Sequence, residues 1–130
     1  MLVSVTRLRL RSILFLPFFA YEAGRSRRQA AASRGCLGAR VRKTQGLSFW
    51  TMTLWEDGQC MREFVAQGPH RQVMPKLAKW CDEAAVGHWE QESRGFPDWK
   101  SASDQLRTTG RLPRVLHPSA DQQQGVINIA

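Results

Sequence analysis

Acidic side chains are nearly missing from the first part of this chain: residues 1–55 hold a single acid, Glu22, against ten arginines and lysines. Residues 56–130 hold ten acids and nine bases, so the formal net charge of +8 is entirely N-terminal. A basic half attracts polyanions nonspecifically. Yet there is no aromatic-basic RNA-binding signature, no paired Cys/His finger and no helix-turn-helix pattern, which favours solvated charge over nucleic-acid binding. Cysteine is also sparse. Cys36, Cys60 and Cys81 are odd in number, far apart and without a CxxC pair, which argues against a zinc site or a secreted disulfide scaffold and fits a reducing, cytoplasmic setting. They read as small buried thiols, because none has a local activating partner. No HxH or HxxxH spacing accompanies the three histidines, and no metal is expected. Long apolar runs are missing too. The run "ILFLPFFAY" falls far short of the roughly 20 residues that span a bilayer, so no stable membrane insertion is expected. Arginines before that run and small residues after it imitate a signal or transit peptide. Against that, residues 2–11 alternate like a strand whose removal would leave the remainder without a partner.

What is present is a globular composition, 42% hydrophobic and 23% charged with five tryptophans, enough for one domain with its own core. In "LVSVTRLRLRS" Val3, Val5, Arg7, Arg9 and Arg11 alternate with Leu2, Ser4, Thr6, Leu8 and Leu10, the period of a strand. A helix capped by Ser12 should follow to about Ser33, with Pro17 tolerated only in its first turn. Gly35 stops it. Strand two, "CLGARVRKT", places Leu37, Ala39 and Val41 on one face, and "TQG" turns the chain into strand three, "LSFWTMTLWE", as a hairpin. Asp57 caps a helical region carrying Met61, Phe64 and Val65, then Val73, Leu77 and Trp80. Gly68-Pro69 interrupts it, and Pro75 should kink or restart it. Strand four is "EAAVGHWEQE".

The order is β-α-β-β-α-β, an α+β ferredoxin-like unit with a four-stranded antiparallel sheet over residues 1–92. In residues 93–130, a short helix with Trp99 and Leu106 inward and Gly110 as its stop precedes an extended tail, disordered near its end. Strand three carries Trp50, Met52 and Leu54 on one side and Phe49, Thr51, Thr53 and Trp55 on the other. Helices cover only one sheet face, so the other is expected to meet its twin in a homodimer.

The strand order, together with "FWTMTLWED…MREFVAQGPHRQVMPKLAKWCDEAAVGHWEQES", resembles the antibiotic-biosynthesis-type monooxygenase-like proteins of the dimeric α/β-barrel superfamily, over about residues 1–92. The resemblance implies paired sheets in a dimer and a ligand cleft between sheet and helices in each subunit. It implies a monooxygenase-like activity on a small aromatic or polycyclic substrate, in some members cofactor-free. Haem-degrading members of the superfamily use an Asn on strand one, a Trp on the second helix and a His further along it. Here Thr6 and Arg7 lie where that Asn would fall, Phe64 where the Trp would, and His70 lies earlier than the His, whose place is nearer Met74. Haem degradation is not expected, and no cofactor is. The alternative is a non-enzymatic small-molecule-binding or structural homodimer.

Among individual residues, His70 at a helix start and His88 beside Glu90 are candidate general bases, each with a plain capping or structural alternative. Arg7 is the candidate partner for a substrate anion, or equally one half of an ion pair. Trp50, Trp55, Phe64 and Trp80 are candidates for an aromatic wall, although some of them must be core.

Overall fold

A computed structural model describes residues 1–130. Strand β1 (Leu2–Leu10) is central, pairing antiparallel with β3 (Ser48–Trp55) on one side and β4 (Cys81–Glu90) on the other. Strand β2 (Cys36–Lys43) adds to the far edge of β3, giving the order β2-β3-β1-β4. This is the ferredoxin-like α+β topology that the alternation pattern predicts.

The Ser12 hydroxyl accepts from the Leu14 N–H and opens a 3-10 turn, Ile13–Phe15, that runs into α1 (Leu16–Ala31). Pro17 falls in the first turn of α1, where no intrahelical N–H is needed. Asp57 caps α2 (Gly58–Val65) by accepting from the Cys60 N–H at 2.9 Å, and α3 (Gly68–Trp80) follows. Pro75 does not restart the helix. It lies within continuous α3 as an exposed residue, where the backbone carbonyl it leaves unpaired is on the solvated side.

Helices α1 and α3 lie side by side along a ladder of contacts: Phe18 near Trp80, Glu22 bonded to Lys76, Arg25 to Gln72, and Gln29 to the His70 N–H and the Gln67 carbonyl. They meet the sheet at both of its ends. At one end Leu2, Trp55, Ala30, Cys60 and Phe64 pack together; at the other, Leu10, Phe19, Cys81, Ala84 and Val115 do.

A second subunit is not required to bury the other face, and here the structure corrects the sequence reading. Helix α4 (Trp99–Thr109), capped by Asp98 and stopped at Gly110, lays Ala102 and Leu106 on Val3, Val5, Trp50, Met52, Leu54 and Ala85. Phe96, Leu112, Ile127 and Ile129 complete the layer, and Trp50, Met52, Val3 and Val5 are 0% exposed. The sequence reading missed this because it treated residues 93–130 as an appendage, while Leu106, Ile127 and Ile129 are too far apart in the chain to form a local periodic signal. The same segment also covers the outer edge of β4. Arg111 exchanges both backbone hydrogen bonds with Val86, Gln122 bonds the Ala84 N–H and carbonyl, and the Ser119 N–H reaches the Asp82 carbonyl before α5 (Ala120–Gln123). An edge so covered is not open to pairing with another chain.

One further correction concerns β2. An extra residue between Cys36 and Gly38 shifts the register, and Leu37 packs on the α4 side while Ala39 and Val41 stay opposite Thr53 and Thr51 on the helix side. Bulges of this kind reverse the facing of a side chain without changing the alternation that follows. Gly38 is required there, since a Cβ at that position would stand 2.8 Å from the Phe96 ring.

Candidate functional site

Registered pairing sorts the helix-facing side of the sheet into rows. Leu2 and Trp55 form the first, and Leu8 and Phe49 the fourth, each packed into an aromatic cluster. Between them lie Ser4, Thr53, Ala39 and His88, then Thr6, Thr51, Val41 and Val86. None of these eight belongs to a buried apolar cluster. Thr51, Val41 and His88 are exposed, and Ser4, Thr6, Ala39 and Val86 are half-buried. Thr53 is buried, and its hydroxyl accepts from the Trp55 indole N–H at 2.9 Å.

The helices span this strip and touch the sheet mainly at its ends. On α1, Ala23 packs into one end cluster and Ala30 into the other, so Ser26, between them on the same helical face, points at the polar rows. Its hydroxyl is buried and has no hydrogen-bond partner. On α3, buried Val73 stands four residues before Leu77 of the far cluster and belongs to neither end. The strip of hydroxyls between two aromatic ends, on the side of the sheet that α1 and α3 cover, is the candidate groove.

The sequence-predicted residues fall into three places. Trp55, Phe64 and His70 come together at one end of the groove: the Trp55 and Phe64 rings are 5.2 Å apart, and the His70 ring lies 4.8 Å from Phe64. Trp80 belongs to the opposite end, where it stacks on Phe15 at 6.2 Å. Arg7 and Trp50 are on the other face of the sheet altogether. Arg7 donates to Glu83, Ser48 and the backbone oxygen of Ala130, and Trp50 packs edge-on to Trp99 with its indole N–H on Thr44. The sheet therefore separates Arg7 from both histidines, and Trp50 is core. The alternation already placed Arg7 with Val3 and Val5; the helix-covered face is what it left open.

His70 is half-buried. Its Nδ1 lies 3.3 Å from the Val65 carbonyl, a contact that assigns the proton to Nδ1 and leaves Nε2 as the acceptor. Burial lowers its pKa below the ordinary imidazole value, against a smaller opposing effect of that backbone hydrogen bond. His88 is exposed on β4 opposite Ser4, with Glu90 two residues on along the same face. Burial raises the pKa of all three thiols, that of Cys81 to about 12, which agrees with inert packing. No group of three or more His, Cys, Asp or Glu is placed to hold a metal ion.

Ser4, Thr51, Thr53 and Ser26 are not candidates in the sequence reading, and Thr6 enters it only at the place of the haem-degrading members' Asn. Their signal was small hydroxyl residues at same-parity positions of two central strands, where a packed face would carry branched aliphatics.

No family model matches the chain. No curated protein matches its sequence. Its structure is similar to a set of solved ones. A crystal structure of an antibiotic biosynthesis monooxygenase superposes with a TM-score of 0.64 at 11% identity, covering 72% of this chain and 100% of that one. A candidate antibiotic biosynthesis monooxygenase from Deinococcus radiodurans gives 0.63 at 16% identity, over 75% and 98% of the two chains. SnoaB, a cofactor-independent oxygenase from Streptomyces nogalater, solved in mutant form, gives 0.58 at 17% identity over 75% and 97%. The fold of this chain is thus that of the antibiotic biosynthesis monooxygenase structures. About a quarter of the chain lies outside each overlap, close to the share that α4 and the tail represent.

Proposed function

We propose that the groove between the helices and the central sheet rows binds a small, flat aromatic molecule, and that the protein acts on it as a monooxygenase-like enzyme. The observation that carries this reading is the row of hydroxyl residues, Ser4, Thr6 and Thr51, on the helix-facing side of the sheet, outside every apolar cluster and set between two aromatic ends. Apolar walls take the rings of such a ligand, and a few hydroxyls fix its polar edge. The fold shared with a cofactor-independent oxygenase supports the reaction class.

Cofactor-free chemistry asks the protein for a base and a dry, polar-edged pocket. A base takes the phenolic proton; the electron-rich anion reduces dioxygen, one oxygen atom entering the ring as a quinone carbonyl and the other leaving as water. His70, neutral near pH 7 because it is partly buried, is the favoured base, with His88 at the β4 side as the second. Arg7 is not assigned to the anion, since it is across the sheet; the Ser26 and Thr51 hydroxyls are the donors on the correct side.

A binder without turnover is the second reading. It is favoured by one observation: the strip carries hydroxyls and no cation. Incubation with 1-naphthol separates the two, with tryptophan fluorescence reporting binding and an oxygen electrode reporting turnover. Dioxygen uptake matched by quinone formation, lost in Thr6→Leu, supports the enzyme. Saturable quenching without uptake supports the binder, and neither signal across a panel of hydroxylated naphthalenes and anthracenes rejects the groove as a ligand site. Helix α4 covers the sheet face through which pairing of two copies is expected from the sequence, and this reading does not depend on such pairing.

A further inference from the structure

The most exposed apolar side chains of the protein are gathered at one corner. Ile13, Leu14, Phe18 and Tyr21 are 65%, 76%, 61% and 64% exposed. Leu14, Phe18 and Tyr21 stand at helix spacing on one face of the segment entering α1, and Phe18 continues into Trp80 at the end of α3, 6.4 Å away. None of the four is needed for a core cluster.

Cations border this corner. Arg11 lies over the Phe15 ring at 4.8 Å while donating to the Lys79 carbonyl, and Arg25 lies over the Tyr21 ring at 5.8 Å. Lys76 and Lys79 are exposed on the adjoining turns of α3, and Arg27, Arg28 and Arg71 continue the basic surface toward the opposite end of the two helices. The single acid of α1 and α3 is Glu22, which is buried and bonded to both Arg25 and Lys76. No exposed carboxylate on either helix offsets the charge.

We propose that this corner docks on an anionic phospholipid surface, with Ile13, Leu14 and Phe18 entering the acyl boundary and the arginines and lysines meeting the headgroups. Aliphatic and aromatic side chains beside a basic rim match the two halves of such a surface, apolar interior and negative headgroup layer. A tyrosine and a tryptophan at the border fit the headgroup level. A second copy fits poorly, since two-fold pairing would set one ring of arginines against another. Nucleic acid would use the cations but has no place for Ile13 and Leu14. The chain would lie on the surface rather than cross it, since no helix is long and apolar enough to span.

The test is sedimentation of the full chain with phosphatidylcholine vesicles, with and without phosphatidylserine. The protein should pellet with the anionic vesicles and stay in solution with the neutral ones, and salt should weaken the binding. Leu14→Ser with Phe18→Ser should lower affinity roughly tenfold, and so should Arg11→Ala with Lys79→Ala, at unchanged circular dichroism because all four side chains are exposed. Equal pelleting with neutral vesicles, or no pelleting at all, overturns the proposal. So does binding of an oligonucleotide in place of vesicles that the Phe18 change leaves intact, or self-association in solution that the same change abolishes.

Discussion

Arg7 Nη1 lies 3.0 Å from Glu83 Oε1, with both side chains almost fully buried where β1 and β4 meet the returning tail. The pair is the centre of a network. Arg7 also reaches Ser48 of β3 and the backbone oxygen of Ala130, and Glu83 accepts from Ser119 and Asn128 and lies 3.3 Å from Arg9. Three strands and the segment covering them are thus joined through one carboxylate and one guanidinium. Breaking such a pair from one side leaves a buried charge without its partner, which costs more than replacing both.

Arg7→Met should therefore lower the unfolding free energy by about 3 kcal/mol in urea titration, the low end of the range for a buried pair because Arg9, Ser119 and Asn128 still hold the carboxylate. The double change Arg7→Met with Glu83→Leu should recover a large part of that loss. Destabilisation by the double variant equal to the sum of the Arg7→Met and Glu83→Leu single losses would mean that the two residues act independently.

The same network sets an acid limit. Burial on its own would raise the Glu83 pKa, but hydrogen bonds from Ser119 and Arg7, the charge of Arg9 and a bond from Asn128 outweigh it and hold the carboxyl below its ordinary value of 4.5. The folded form thus binds the proton less readily than the unfolded chain. The stabilisation is complete above pH 4.5 and is lost as pH falls through the depressed value. Tail release, read by hydrogen exchange at residues 119–128, should begin below pH 4.5 and should be much less pH-dependent in Glu83→Gln.

The covered sheet face makes a prediction about assembly. Sedimentation of the full chain should show no pairing through the face that carries Trp50 and Met52. Removing residues 93–130 should expose that face and cause association or precipitation, since its apolar side chains would have no other shelter. Leu106→Ala, at the centre of the layer, should cost about 2–5 kcal/mol while leaving the secondary structure in place. A truncated chain that stayed monomeric and folded would show that α4 is dispensable as a cover.

Much of this fold was legible from local signals. Alternation in residues 2–10, Ser12 and Asp57 as caps, and Gly110 as a stop each act within a few residues, and each is where the pattern places it. What escaped was long-range. The partner of Val3 and Trp50 is a helix about fifty residues beyond Trp50, and its pairing depends on packing with no periodic trace. The bulge at Leu37 escaped for a related reason, because an inserted residue changes facing without changing composition. The candidate site was half visible: His70, Trp55 and Phe64 were named and do cluster, whereas Ser26 gains its meaning only from the rows it faces.

His70 gives the sharpest link between the groove and pH. Burial favours its neutral form, so the folded protein holds that proton less tightly than the unfolded chain, for which the ordinary value is 6.5. Its contribution to stability is present above pH 6.5 and lost as pH falls through the lowered folded value. A base with this shift remains unprotonated at neutral pH, so turnover of a phenolic substrate should fall only in mild acid, on a single ionisation below 6.5. His70→Gln should remove that acid limb and cut the rate by about 100-fold or more if His70 is the base. If the limb and the rate both survive in His70→Gln but are lost in His88→Gln, the base belongs to β4. That outcome would move the reactive edge of the ligand from the Phe64 end of the groove to the strand that carries Val86 and His88.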